Sequence, residues 1–513
     1  MNVRQEGLAG QLSALAGTAY PFHMPGHKRD PETAEALRRV SGLPADADLT
    51  ALYGIDMTEI EGADDLHGAD GILREAMDRT AALWGSRRTW YLVGGSTAGI
   101  LAGIRTLAPF GSHIIAARNC HKSVFHAIEL GGLHPHWICP QPAGAYGICG
   151  SISPQQVRQA LREVPDCRAV ILTSPTYEGV VSDIRAIAGI CHERNVPLFV
   201  DEAHGAHLGL FEVPFFPESA VHCGADLVVQ STHKTLPALT QTALLHIGRE
   251  ALPSVREAEV ERQLDVFETS SPSYPLMASI DACTALLRAD GAEMFLRWKE
   301  RLEEFDRRIR PLRGLRVFGH GAQAGEACPG VYAFDPGKIA VFCGGTSLTG
   351  EELARRLRED FRLEPEMMRP SMVLLMTSPC DGADAYGRLA DALLRIDGEA
   401  VPVPAEEEAA RRTVQAAETA TLSPDLCMTP AEAVLCEGVS VPEESAAGCI
   451  CGEYVYAYPP GIPILVPGER VGEPQLAAIR REEAGRTCLI RSISGASPHL
   501  YILTKTGTPM YDI

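Results

Sequence analysis

The sequence predicts an α/β protein built on a mainly parallel sheet, and three observations carry that expectation. From about residue 69, short apolar runs of strand length alternate with segments of helical periodicity, the pattern of a parallel sheet covered by helices on both faces. Polar residues gather directly after those runs: Ser96-Thr97, 119–121, Thr173-Ser174, 201–204 and 231–234. Ligands of open α/β sheets bind at the carboxyl ends of strands, so five strand ends point at one expected site. Finally, 513 residues exceed one ordinary hydrophobic core, which predicts two or three domains.

The elements follow in order along the chain. The first 20 residues read as a short helix with Leu8, Leu12 and Leu15 on one side, and "PFHMPGHKRD" as a polar loop too rich in His, Pro and Gly to be regular. "GADGILREAMDRTAALWG" has helical periodicity and a glycine stop. "TWYLVGGSTAGILAGIRTL" reads as strand, glycine turn and helix, "SHIIAAR" as a short buried strand, and "HKSVFHAIELGG" as a helix again stopped by glycine. "RAVILTSP" and "PLFVDEAH" are strands, with the helix "DIRAIAGICHERN" between them. In "DLVVQSTHKTLPALTQTALLH" an apolar run stops at Ser231-Thr232-His233-Lys234, and a second run, Thr242 to Leu245, follows a short loop. After "SPSYPLMASIDACTALL" a long helical stretch leads toward residue 310. "GVYAFDPGKIAVFC" and "SMVLLMTSP" flank the helix "GEELARRLRED" in a smaller α/β domain reaching about residue 397. "DGEAVPVPAEEEAARR" shifts to Pro, Ala and Glu and is the expected linker; the last module, from about 425, ends in short strands and is expected to be α+β. The expected division is 1–60 (helix and loop), 61–285 (large domain), 286–400 (small domain) and 401–513 (C-terminal domain).

Composition narrows the function classes. The 46 Lys and Arg against 66 Asp and Glu give a formal charge of −20, which argues against the basic stripe of a nucleic-acid-binding surface and is compatible with a cationic small-molecule substrate. No basic n-region with an apolar core opens the chain, and no apolar run approaches the roughly 20 residues of a membrane helix. The 15 cysteines are scattered without paired C-x-x-C sites, so reduced thiols and a cytoplasmic location are expected.

Several residues invite more than one reading. Lys234 is either a solvated turn lysine or a lysine at a pocket floor, where desolvation makes the amine a nucleophile. "GGSTAGI" offers free backbone N–H groups and hydroxyls to an anionic phosphate, although glycine-rich turns also arise for steric reasons alone. Asp201 ends a strand expected to be buried on both faces, where a carboxylate needs a cation or hydrogen bonds; an N-cap is the bland alternative. Reading "DEAH" as a helicase box requires a P-loop that is absent. His204 and His207 are half of a metal site at most, and His121 alone reads as a structural histidine. Taken together, a phosphate cradle, a buried aspartate, a ring that can stack and a lysine preceded by hydroxyl and imidazole groups match the needs of pyridoxal phosphate. Asp201 precedes Lys234 by 234 − 201 = 33 residues, room for one helix-plus-strand unit.

The chain resembles the Orn/Lys/Arg decarboxylases of the aspartate-aminotransferase fold (the PLP-dependent transferase fold type I) over essentially its whole length. The resemblance rests on "PFHMPGHK", "DMTEIEGADDLHGADG", "GGSTAGI", "RNCHKSV", "SPTYEGVVSDI", "VDEAHGAH", "STHKTLPALTQ", "TSSPSYPLMASID" and "YPPGIPILVPGE", in that order. It implies Lys234 as the cofactor-bearing lysine, Asp201 as partner of the pyridine nitrogen and His121 stacked on the ring. Ser96, Thr97, Ser231 and His233 are implied as phosphate ligands. His204 is implied beside the cofactor, where larger members carry tryptophan. Thr269 and Ser270 fall in the segment through which a neighbouring subunit closes the site, so a homodimer is expected. The chain begins almost at the helix before "PFHMPGHK", like the short form without the N-terminal wing domain used to build decamers. The implied activity is decarboxylation of a basic amino acid, first L-arginine to agmatine, with lysine and ornithine as alternatives and an aminotransferase or a non-catalytic relative further off. Glu453, in the C-terminal module, is the expected acceptor of the substrate's distal cation.

Overall fold

The central strands of the large sheet are short, mostly apolar runs rather than alternating ones, as burial on both faces requires. A computed structural model describes residues 7–504 apart from 19, 20, 22, 26, 43, 45, 47, 145, 405, 409–424, 496 and 497. Of the expected linker, residues 405 and 409–412 therefore lie outside the described residues. The strands are β1 (Arg88–Leu92), β2 (His113–Ala117), β3 (His134–Ile138), β4 (Val170–Thr173), β5 (Val180–Val181), β6 (Leu198–Asp201), β7 (Leu227–Ser231) and β8 (Ala243–Ile247). All but β5 form one sheet, ordered β1-β8-β7-β6-β4-β2-β3. Neighbours from β3 to β7 are parallel, while β8 runs antiparallel to both β7 and β1. Every residue of β1, β6, β7 and β8 is buried.

Helix Gly95–Leu107 lies close on this sheet because its inner face is glycine. A Cβ at Gly103 would stand 2.3 Å from the Phe199 ring, and one at Gly99 2.5 Å from Leu92. Helix Ile72–Trp84 ends at Gly85 in the left-handed region, φ 68°, as its glycine stop predicts. Strand β3 is the element that periodicity does not reveal. It is the sheet's edge, "HPHWI", with a single buried residue, so no apolar run marks it.

Helix Tyr274–Ile309, 36 residues long, leads to the second sheet. Its strands are β9 (Arg316–Val317), β11 (Lys338–Phe342), β12 (Met367–Arg369) and β13 (Met372–Met376), ordered β12-β13-β11-β9 and antiparallel throughout. The intervening β10 (Ala333–Phe334) pairs instead with β5, stitching this segment to the one after β4. In the C-terminal module β14 (Gly438–Pro442) pairs with β18 (His499–Leu503), and β15 (Val455–Ala457) lies between β16 (Pro463–Leu465) and β17 (Leu489–Arg491). Helix Glu473–Ala484 packs beside them. Among the described residues no helix is long and apolar enough to cross a membrane.

Candidate active site

A cavity of about 670 Å³ opens at the carboxyl ends of β4, β6 and β7. The start of helix Gly95–Leu107 forms one wall, the turn between β12 and β13 a second, and residues 457–464 of the C-terminal module a third. Of the residues singled out in the sequence, Ser96, Thr97, His121, Asp201, His204, His233 and Lys234 line it.

Lys234 sits on the short helix Thr232–Thr235 that interrupts β7 and β8, not on a solvated turn. The antiparallel return of β8 pins this helix: Thr232 Oγ1 and Thr242 Oγ1 are 2.7 Å apart, and His233 Nδ1 donates to the Thr242 carbonyl at 2.8 Å. Burial lowers the pKa of the Lys234 ammonium, and the carboxylates of Asp201 and Glu366 oppose that shift. Asp201 ends β6 at 3% exposure. Burial raises its pKa, and Lys234 and the Ala203 N–H, 3.1 Å from Oδ1, draw it back down. No helix follows Asp201, so the N-cap alternative does not hold.

His121 is the N-cap of helix Lys122–Leu130, with Nδ1 2.7 Å from Ser123 Oγ. Burial, then Lys234 and Lys122, push its pKa down to about 3, so the imidazole is neutral. Gly461 closes against the ring: at φ +86° it takes a backbone shape that favours glycine, and a Cβ there would lie 3.2 Å from His121 Cδ2 and Nε2. The Lys122 N–H donates to the Gly461 carbonyl at 3.0 Å. Arg118 fastens the same loop from below. Its guanidinium meets both oxygens of Glu469 at 3.1 Å, the Arg118 and Glu469 side chains each 1% exposed, and donates to the Pro463 carbonyl at 2.7 Å.

The floor holds bonding capacity that the protein does not use. Ser231 Oγ, just behind the cavity wall, and Asn119 Oδ1 are buried without a hydrogen bond. Gly95 has φ +77°, turning the chain so that helix Gly95–Leu107 starts at the cavity with Ser96 and Thr97 in its first turn. The Gly94 N–H is held by the Glu268 carboxylate at 2.9 and 3.0 Å.

Beneath His204 lies a buried charged network that the sequence did not announce. Lys338, at the start of β11 and 1% exposed, donates from Nζ to His204 Nδ1 at 3.2 Å. Burial lowers its pKa to about 8. His207 bridges Thr235, the neighbour of Lys234, and Asp335, with both contacts at 3.1 Å. The ring nitrogens of His207 and one of His204 are thereby engaged, which removes the half-site for a metal. Lys338 and Asp335 lie at the β10–β11 turn behind the cavity, where they touch His204 and His207, and no local pattern marks them.

One expectation about the site, Glu453, differs from the geometry, and a second, that Thr269 and Ser270 act in a neighbouring subunit's site, concerns residues away from their own chain's cavity. Thr269 and Ser270 are exposed and stand outside the cavity of their own chain. Glu453 is corrected: it is 0% exposed, absent from the cavity wall, and accepts from the N–H groups of Ile493, Ser494 and Tyr501 and from Ser494 Oγ at 2.6–3.0 Å. Its oxygens are consumed in tying the loop before β15 to residues 493–501, so it has neither the access nor the capacity to receive a substrate.

The sequence profile of the Orn/Lys/Arg decarboxylase major domain matches residues 14–323, and that of the family's C-terminal domain matches 409–483. The chain belongs to the Orn/Lys/Arg decarboxylase family. It is 32% identical to an arginine decarboxylase of Bacillus subtilis over 461 residues, 89% of each chain, and 32% identical to one of Halalkalibacterium halodurans over 90% of this chain and 89% of that one. The constitutive lysine decarboxylase of Escherichia coli is 25% identical over 77% of this chain and 65% of its own. In fold, the crystal structure of the Francisella novicida lysine decarboxylase covers 98% of this chain and 81% of its own at TM-score 0.78 and 18% identity. As a family member this chain is an amino-acid decarboxylase on the fold type I scaffold.

Proposed function

We propose that this protein decarboxylates a basic amino acid with pyridoxal phosphate bound at Lys234, and that L-arginine, giving agmatine and CO₂, is its substrate. The observation that carries the reading is the buried Lys234–Asp201 pair at the ends of β7 and β6, facing a cavity whose polar floor retains unused bonding capacity. The residues present fit the cofactor. The start of helix Gly95–Leu107 with Ser96 and Thr97, together with Ser231 Oγ and His233, would hold the phosphate, and Asp201 would face the ring nitrogen. His121, neutral and backed by Gly461, would cover one face of the ring; His204 would lie beside it. When bound, the cofactor supplies an electron sink for the pair left as the bond to the departing carboxylate breaks.

The protein's own part is positioning and proton control. Lys234, its pKa lowered by burial, is the nucleophilic amine and, facing the cavity, can carry a proton back to the substrate's α-carbon. Burial raises the pKa of Asp201, and Lys234 and the Ala203 N–H oppose that shift; a cationic ring nitrogen set against it would add a further partner for the carboxylate and be stabilised by it in turn. The C-terminal loop, clamped by Arg118 and Glu469, excludes water from the His121 side. Thr269 and Ser270, exposed and outside the cavity of their own chain, would complete the cavity of a partner subunit in a homodimer. Arginine is favoured over lysine and ornithine because the arginine decarboxylases named above are more similar, over more of the chain, than the lysine decarboxylase.

Separate incubation with L-arginine, L-lysine and L-ornithine, followed by product identification, tests this reading. Agmatine as the fastest product is expected. Faster release of cadaverine or putrescine would overturn the substrate choice, and no amine from any of the three would overturn the proposal itself.

A further inference from the structure

With Glu453 spent elsewhere, the carboxylates of the cavity itself must answer for a cationic substrate. Four line it: Asp201, Glu178, Glu366 and Glu482. Asp201 stands at the floor beside Lys234. Glu366 is exposed and accepts the Tyr177 hydroxyl at 2.6 Å. Glu482 is ion-paired with Arg369. Glu178 differs from all three. It is 7% exposed, yet among the described residues it makes no hydrogen bond and no ion pair. Lys338, which feels its charge, gives its own hydrogen bond to His204.

Glu178 is also held in place. The turn that carries it is closed by Gly179 N–H to the Thr176 carbonyl at 3.0 Å and Thr176 N–H to the Val180 carbonyl at 2.8 Å. Gly179 has φ +101°, and a Cβ there would lie 2.8 Å from Lys338 Cγ, so the turn sits tightly on β11. The preceding Tyr177 packs its ring 4.4 Å from that of His204. The closed turn fixes the place from which the side chain enters the cavity wall, and its carboxylate oxygens are neither spent on a partner nor sealed away from that cavity. Such a group suits a ligand that brings its own donors.

We infer that Glu178 receives the distal cation of the substrate, its two oxygens accepting the paired N–H groups of a guanidinium. This rests on the decarboxylase reading above. A planar guanidinium engages both oxygens of one carboxylate, whereas an ammonium makes a point contact, so the same residue favours arginine over shorter or rounder cations.

The test uses the cofactor-loaded enzyme and its Glu178→Gln and Glu178→Asp variants, with cofactor absorbance and thermal midpoint as checks of integrity. Glu178 makes no bond within the protein, so both variants should fold. Glu178→Gln should raise KM for L-arginine and weaken calorimetric binding of agmatine about 10–100-fold, the loss of a charged hydrogen-bonded contact. Glu178→Asp should fall between the variant and the wild type, and the preference of the wild type for arginine over neutral citrulline should shrink in Glu178→Gln. Unchanged KM and agmatine affinity in a folded Glu178→Gln enzyme would overturn the assignment. If the wild type turns over no basic amino acid, the decarboxylase reading fails by itself; agmatine binding that still depends on Glu178 would then uphold the cation site, and binding that does not would defeat it.

Discussion

The carboxyl edge of the large sheet and the C-terminal module each bury a carboxylate almost completely, and they treat it in opposite ways. Asp201 accepts one N–H and depends on Lys234 for the rest of its stabilisation. Glu453 accepts four hydrogen bonds within 2.6–3.0 Å and has nothing left to offer. Burial alone therefore does not distinguish a working group from a structural one. What distinguishes them is unspent bonding capacity: Ser231 and Asn119 beside the cavity have it, and the loop around Glu453 has none.

Substitutions can sharpen this contrast, and the largest effect is expected at Lys234. Lys234→Ala should abolish turnover beyond the roughly 10²–10⁴-fold that a positioned acid–base group contributes, since it removes nucleophile and proton carrier together. Single-turnover measurements with saturating cofactor would show it. Asp201→Asn should keep the fold and some cofactor affinity while lowering kcat about 10²–10³-fold, the usual worth of a preorganised electrostatic partner. Near-normal kcat would place Asp201 with Glu453 among structural groups.

On the other side of the comparison, Glu453→Gln should cost about 1–3 kcal/mol of stability, because an amide cannot accept from the donors now facing it. KM for the substrate should stay unchanged. A thermal scan beside a kinetic assay separates the two, and a selective rise in KM would return Glu453 to the site.

A pH-dependent effect is expected at Lys338. Its folded pKa lies below the ordinary 10.5, at about 8, so between those values the unfolded chain binds more protons than the folded one. Stability contributed through Lys338 should therefore rise with pH from about 8 to 10.5 and be flat below, by at most about 1.4 kcal/mol per pH unit. Thermal midpoints of wild type and Lys338→Met across that window should converge as pH rises, if the buried charge is what separates them. Parallel curves would contradict the shift.

The strand ends were legible because chemistry there is local. An apolar run followed by "STHK" or "DEAH" announces a polar group at the edge of a buried strand, and Lys234, Asp201 and His121 are found where that logic puts them. Glu453 was misread because its four donors come from residues 493, 494 and 501, brought near only by the pairing of β15 with β17 and β14 with β18. Lys338 and Asp335 were invisible for the same reason: a lysine opening an ordinary apolar strand carries no sign that β10 will pair with β5 and carry it under His204. The edge strand β3 escaped because half-exposed "HPHWI" has neither a run nor an alternation to detect.

The most direct test of the account is chemical trapping of the cofactor. The purified protein, loaded with pyridoxal phosphate and reduced with borohydride, is digested and the labelled peptide sequenced. The account predicts a single modified residue, Lys234, within "STHKTLPALTQ". A label on any other lysine, the buried Lys338 included, would contradict it.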